Sequence, residues 1–78
     1  MNIHDTRIHN LAADQVRVFM RRHKLALADL INIGGEDLKS PDYRKAERAR
    51  HVSQTWQMMA RLSVCFTDLE GNQNEIHT

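Results

Sequence analysis

One pattern, used twice, constrains this chain more than any other feature. Residues 19–30 read Phe19-Met20-Arg21-Arg22-His23-Lys24-Leu25-Ala26-Leu27-Ala28-Asp29-Leu30. Thirty-nine positions later the chain reads Met58-Met59-Ala60-Arg61-Leu62-Ser63-Val64-Cys65-Phe66-Thr67-Asp68-Leu69. In both segments an amphipathic helix ends on an Arg and a polar residue breaks it. An apolar, a small and a second apolar residue then lead to Asp-Leu. The pattern predicts a long helix followed by a short one, twice. Two origins stand open for it: an internal duplication, or two uses of one way of entering a helix.

The rest of the chain agrees with an all-helical reading. Gly occurs three times and Pro once among 78 residues, and no stretch alternates apolar with polar residues for long. Hydrophobic residues at 41% against 27% charged residues suit a folded domain rather than a disordered one. The length allows one domain, with a thin core, because a chain of this size buries only about 60% of its unfolded surface. The expected fold is therefore a small helical bundle of two long and two short helices, spanning residues 1–71, with residues 72–78 as a flexible tail.

The first helix is expected to start after Asp5 or Thr6, with Asn10 as a later alternative, and to end near His23. Ile8, Ala12, Val16, Phe19 and His23 form its apolar face, widened by Leu11 and Met20, with Arg17, Arg21 and Lys24 opposite. A short helix follows from about Leu27 to Ile33. Asp29 lies at its third position, where a carboxylate favours the start, and Gly34-Gly35 ends it through the left-handed conformation. Residues 35–39 are expected to be a polar loop with Leu38 tucked inward. Ser40-Pro41-Asp42 then opens the longest helix, with Ser40 as cap and Pro41 in the first turn, running to Leu62. Its apolar stripe is Ala49, Val52, Trp56, Met59 and Ala60, edged by Ala46 and Ser53. A last short helix starts at Phe66 and stops at Gly71.

Catalysis and cofactors are not expected. Gly34-Gly35 lacks the Lys-Ser/Thr of a phosphate-binding loop and follows a helix. Cys65 has no neighbouring His and reads as a buried, inert residue. A lone Cys forms no internal disulfide and supplies no thiol pair for zinc. Asp5 and His9 stand at i and i+4, the spacing of helical metal ligands, but no second pair accompanies them, so no metal site is expected. His23 reads as a hydrogen-bonded residue at the core edge. Met1–Asp5 has no apolar run of the signal-peptide kind, and no segment approaches the roughly 18 apolar residues of a membrane span. The expected location is cytoplasmic, with no membrane contact.

Two binding surfaces remain. Arg44, Arg48 and His51 fall at i, i+4 and i+7 on the third helix, beside Lys45, and form a basic face suited to phosphates and base edges. The competing role of that face is a solvated surface with local ion pairs, Glu47 meeting Arg50 or His51. Leu27-Ala28-Asp29-Leu30 followed by Gly35 resembles the opening of a helix-turn-helix. That resemblance, confined to residues 25–35, implies that the basic helix after it is a recognition helix. Residues 36–39 and Pro41 depart from it by delaying the next helix. Met58 and Leu62 project from the main stripe of the third helix and suggest a partner interface. The leading expectation is a small non-enzymatic regulatory or adaptor protein acting through protein contacts as a homodimer. The alternative is a helix-turn-helix-like protein that binds nucleic acid through Arg44, Lys45, Arg48 and His51. The net charge of only +1 does not decide between them.

Overall fold

The computed structural model describes the backbone of residues 3–75 and the side chains of residues 9–70. Helix α1 spans Ile3–Arg22, α2 Leu27–Asn32, α3 Tyr43–Leu62 and α4 Phe66–Glu75. A 3-10 turn, Gly35–Lys39, bridges α2 and α3. The expected pair of long and short helices is present, and no strand occurs among the described residues.

The repeated pattern is a repeated junction. Each long helix ends with one residue in the left-handed conformation, Lys24 and Ser63, both at φ 57°. The next amide then donates back five residues, Leu25 to the Met20 carbonyl and Val64 to the Met59 carbonyl, each at 2.8 Å. The left-handed residue itself donates to the carbonyl three before it, Lys24 to Arg21 and Ser63 to Ala60. This double closure satisfies carbonyls left over at a helix end and brings an apolar pair together across it. The short helices begin alike as well. Oδ2 of Asp29 accepts the amide of Ala26 at 2.8 Å, and Oδ2 of Asp68 accepts the amide of Cys65 at 2.7 Å. These are the back-bonding halves of capping boxes, formed without a Ser or Thr at the cap.

The likeness extends through the core. Ala13 and Val52, Val16 and Thr55, Met20 and Met59, Leu25 and Val64, and Leu30 and Leu69 are all buried, and the members of each pair stand thirty-nine residues apart. Among the described residues, Ala49 is the one buried residue outside these pairs. The contacts between halves are exchanged in the same way. Asp29 of the first half receives Arg48 of the second at 3.1 Å, and Asp68 of the second receives His9 of the first at 3.1 Å. His9 and Arg48 are themselves thirty-nine residues apart. Each short helix thus packs on the other half's long helix, α2 on α3 and α4 on α1. Exchanging the two halves maps one set of contacts onto the other, as a two-fold axis would.

The two long helices run antiparallel. The end of α1 meets the middle of α3, where the His23 and His51 rings stack at 3.8 Å, while the chain beyond α3 returns Asp68 to His9 and Arg17.

Several local expectations change. Helix α1 starts at Ile3, ahead of Asp5, and its buried line is Ala13, Val16 and Met20, with Ala12 and Phe19 at the margin and Leu11 exposed. The cap of α3 is Asp42, whose Oδ1 accepts the Arg44 amide at 2.9 Å, while Ser40 Oγ accepts the Asp42 amide. Ser40-Pro41 therefore precedes the helix instead of opening it. Gly34 and Gly35 have no left-handed φ, because α2 ends by extending at Ile33. Residues 35–39 form the 3-10 turn against α3, with Leu38 half-exposed. Thr55 lies in the core in place of Trp56 and Ala60. Its hydroxyl avoids being orphaned there by donating to the His51 carbonyl at 2.7 Å. Helix α4 passes through Gly71 and reaches Glu75, so residues 72–75 of the expected tail are helical, and residues 76–78 lie outside the described residues.

Candidate nucleic-acid interface

The antiparallel arrangement brings the C-terminal end of α1 to the N-terminal half of α3. The rings of Phe19, His23 and His51 hold that junction, Phe19 and His23 at 4.5 Å and Phe19 and His51 edge-on at 6.5 Å. His23 thus meets its neighbours by stacking. Burial lowers the affinity of His51 for a proton, His23 beside it lowers it further, Glu47 opposes the shift, and Arg50 adds to it. The stack joins α1 to α3.

The two helices it joins carry five exposed cations near these ends. Arg21, Arg22 and Lys24 flank His23, and Arg44 and Lys45 lie two turns before His51. None of the five has an ion pair among the described residues. Arg48 is committed to Asp29, and Arg50 and His51 lie within reach of Glu47. Of the expected nucleic-acid set, Arg44 and Lys45 are therefore free and exposed, Arg48 is exposed but paired, and His51 is half-buried in the stack. Arg21, Arg22 and Lys24 were not assigned to this set from sequence. The sequence places Arg21 and Lys24 opposite the apolar face of α1, but does not show that α1 ends beside α3.

The turn expected of a helix-turn-helix takes a different form. Residues 33–42 separate α2 from α3 and include the 3-10 turn, whereas such motifs join their helices through about 3–4 residues.

Met58 and Leu62 are half-buried and pack against the domain's own core. The exposed apolar side chains lie elsewhere. Ile31 is 67% exposed, and Leu38 and Trp56 line a groove of about 210 Å³ floored by Ala49 and Val52. The Trp56 indole N–H donates to the Leu30 carbonyl at 3.1 Å, and its ring lies nearly parallel to Phe66, 6.4 Å away. Cys65, expected to be buried, is exposed. It fills the cap position before α4, which faces outward, as Ala26 does before α2.

A second cleft, of about 400 Å³, opens between α1, the α1–α2 junction and α4. Arg17 and Arg21 edge it, and Met20, Leu25, Leu27 and Leu69 give it an apolar lining. Arg17 is held by an ion pair with Asp14 and by its bond to the Asp68 carbonyl, so it forms a fixed wall. No three His, Cys, Asp or Glu side chains come together in a metal-binding group among the described residues, where His9 is engaged by Asp68; the side chain of Asp5 lies outside them. No described helix is long and apolar enough to cross a membrane.

No family model, curated protein or solved structure matches this chain.

Proposed function

We propose that this is a small, non-enzymatic nucleic-acid-binding protein whose contact surface is the basic end formed by the C-terminus of α1 and the N-terminal half of α3. One observation carries the reading: Arg21, Arg22 and Lys24 at the end of α1 and Arg44 and Lys45 at the start of α3 belong to the two helices that the His23–His51 stack joins, and none is neutralised by an acid among the described residues. Cations in that state gain more from phosphate than cations already paired, since no ion pair has to be broken. Arg48 adds a sixth if its exposed pair with Asp29 opens, a pair of a kind worth at most about 1 kcal/mol.

The test is a titration of labelled DNA by fluorescence anisotropy over a range of salt. Five phosphate contacts predict a log–log slope of about −4 to −5 on duplex, reduced by roughly 1 for each cation removed by Arg44→Ala or Arg22→Ala. Absence of binding at low salt ends the proposal.

A second reading has one observation in its favour. Leu38 and Trp56 expose apolar surface on the 210 Å³ groove, and Ile31 is exposed as well, which suits a cytoplasmic regulator or adaptor that binds protein, a second copy of itself included. Sedimentation decides the homodimer: a concentration-independent species of 9.1 kDa removes it.

A further inference from the structure

The two halves share a scaffold, so each can be used to read the other. Every residue of the 400 Å³ cleft has a counterpart thirty-nine positions away. Arg17 corresponds to Trp56, Arg21 to Ala60, Leu27 to Phe66, and Leu69 to Leu30. In the second half this place is covered. The indole of Trp56 lies over it, nearly parallel to Phe66 and hydrogen-bonded to the Leu30 carbonyl. In the first half no ring is supplied. Arg17 is drawn aside to Asp14 and the Asp68 carbonyl, and Leu27 is smaller than Phe66, so the equivalent space is an open cleft. The molecule thus shows a shape that suits this place: a flat bicyclic ring set against the Phe66 ring and hydrogen-bonded to the Leu30 backbone.

From this correspondence we infer that the cleft receives a purine base of single-stranded nucleic acid. A purine has the fused five- and six-membered outline of indole. Arg21, which has no ion pair among the described residues, stands on the rim, where its guanidinium can lie against the base or take a phosphate, with Arg22 and Lys24 close by in the chain. Bases in duplex are stacked and paired and do not reach such a cleft, whereas a single strand offers them. The inference rests on the proposed function and narrows it: the basic end supplies affinity for any phosphate chain, and the cleft adds preference for an unpaired purine.

The experiment compares four probes with the full chain by anisotropy or competition: an oligo-adenine strand, an abasic strand of equal length, a duplex of equal length, and free adenosine monophosphate. The oligo-adenine strand is expected to bind about tenfold tighter than the abasic strand, consistent with the loss of one base contact. Two substitutions that install the other half's residue, Leu27→Phe and Arg21→Ala, are expected to shrink that ratio to about one, while Arg61→Ala at the opposite end leaves it unchanged. If Leu27→Phe does not fold, Arg21→Ala at an exposed position carries the test, with its helical content checked by circular dichroism. Equal binding of abasic and adenine strands overturns the inference and leaves the basic end standing. So does adenine preference that survives both substitutions. Binding of the free nucleotide as tightly as the strand overturns the single-strand assignment. Failure of all four probes at low salt overturns both readings.

Discussion

The first half of this protein, α1 with α2, and the second, α3 with α4, place the same core on two different surfaces. Inside, every buried residue but Ala49 among the described residues has a buried counterpart in the other half, with side chains as unlike as Val16 and Thr55 meeting the same demand. Outside, the correspondence breaks. Arg21, Arg22, His23 and Lys24 at the end of α1 answer to Ala60, Arg61, Leu62 and Ser63 at the end of α3. Arg44 and Lys45 answer to Asp5 and Thr6. The cation-rich end and the open cleft both arise from these departures. What the halves share therefore serves folding, and binding is to be sought where they differ. A correspondence that runs through caps, core and exchanged ion pairs exceeds what two uses of one helix-entry pattern require, and an internal duplication accounts for all of it.

The harshest test of that equivalence lies in the core. Leu30 and Leu69 are 3% and 0% exposed, and each seals a short helix onto the other half's long one. Leu30→Ala and Leu69→Ala should each cost about 2–5 kcal/mol. For a domain whose total stability is on the order of 5–15 kcal/mol, that is a severe loss. Urea denaturation of both variants is the measurement. Costs that agree within about 1 kcal/mol uphold two equivalent halves. A large cost at one site and a small one at the other shows that one short helix is only loosely attached.

The paired acids provide a milder test. Asp29 and Asp68 each accept the amide that starts a short helix and a cation from the opposite half. Asp29→Ala and Asp68→Ala should each cost about 1–2 kcal/mol, mostly through the lost cap. The two acids differ in partner, an imidazole for Asp68 and a guanidinium for Asp29. The amide of Cys65 and the His9 bond hold the Asp68 carboxyl below the usual carboxylate range. Its contribution is present above the unfolded carboxylate value and disappears as pH falls through the lower folded one. His51 acts at higher pH with the same sign. Its folded proton affinity is lowered, so the unfolded chain is protonated first, and stability declines as pH drops from about 6.5 toward the folded value. His51→Ala, which installs the residue of its counterpart Ala12, should flatten that upper step and leave the lower one. A pH series of urea midpoints that keeps the upper step in this variant contradicts the role given to the histidine stack.

The fold was legible in sequence where one residue decides locally. Asp29 and Asp68 mark helix entries because a carboxylate three residues into a helix reaches a free amide whatever lies around it. The number and order of helices follow from periodicity. Positions at the edge of a stripe were not legible. Val52, Thr55, Trp56 and Met59 lie within one arc of α3, and hydrophobicity alone favours Trp56, yet Thr55 is fully buried, while the Trp56 indole turns to the Leu30 carbonyl. Ser40 lost the cap to Asp42 because both are good caps two residues apart, and the packing of the 3-10 turn on α3 sets where the helix begins. Cys65 reads as buried by type and is exposed by position. Extending the thirty-nine-residue offset beyond the quoted pattern supplies a signal for both errors, since Thr55 aligns with Val16 and Cys65 with Ala26. The cleft and the basic end remain invisible on that route, because they depend on which helix ends meet across the fold.

The smallest expected effect concerns the two left-handed residues. Lys24 and Ser63 occupy a conformation that costs residues with a side chain on the order of 1 kcal/mol and costs glycine almost nothing. Replacement by glycine removes that strain but makes the unfolded chain more flexible, which offsets part of the gain. Lys24→Gly and Ser63→Gly should therefore each raise stability by no more than about 1 kcal/mol, as read from urea midpoints, and by similar amounts, since the bonds that close the two junctions have the same pattern and length. Their consequences for binding should differ. Lys24→Gly removes a cation from the basic end and should weaken DNA binding at low salt, whereas Ser63→Gly should leave it unchanged. Equal stabilisation with unequal binding places folding in what the halves share and function in what they do not. Destabilisation by either glycine shows that the two junctions, alike in their backbone bonds, are not alike in what holds them.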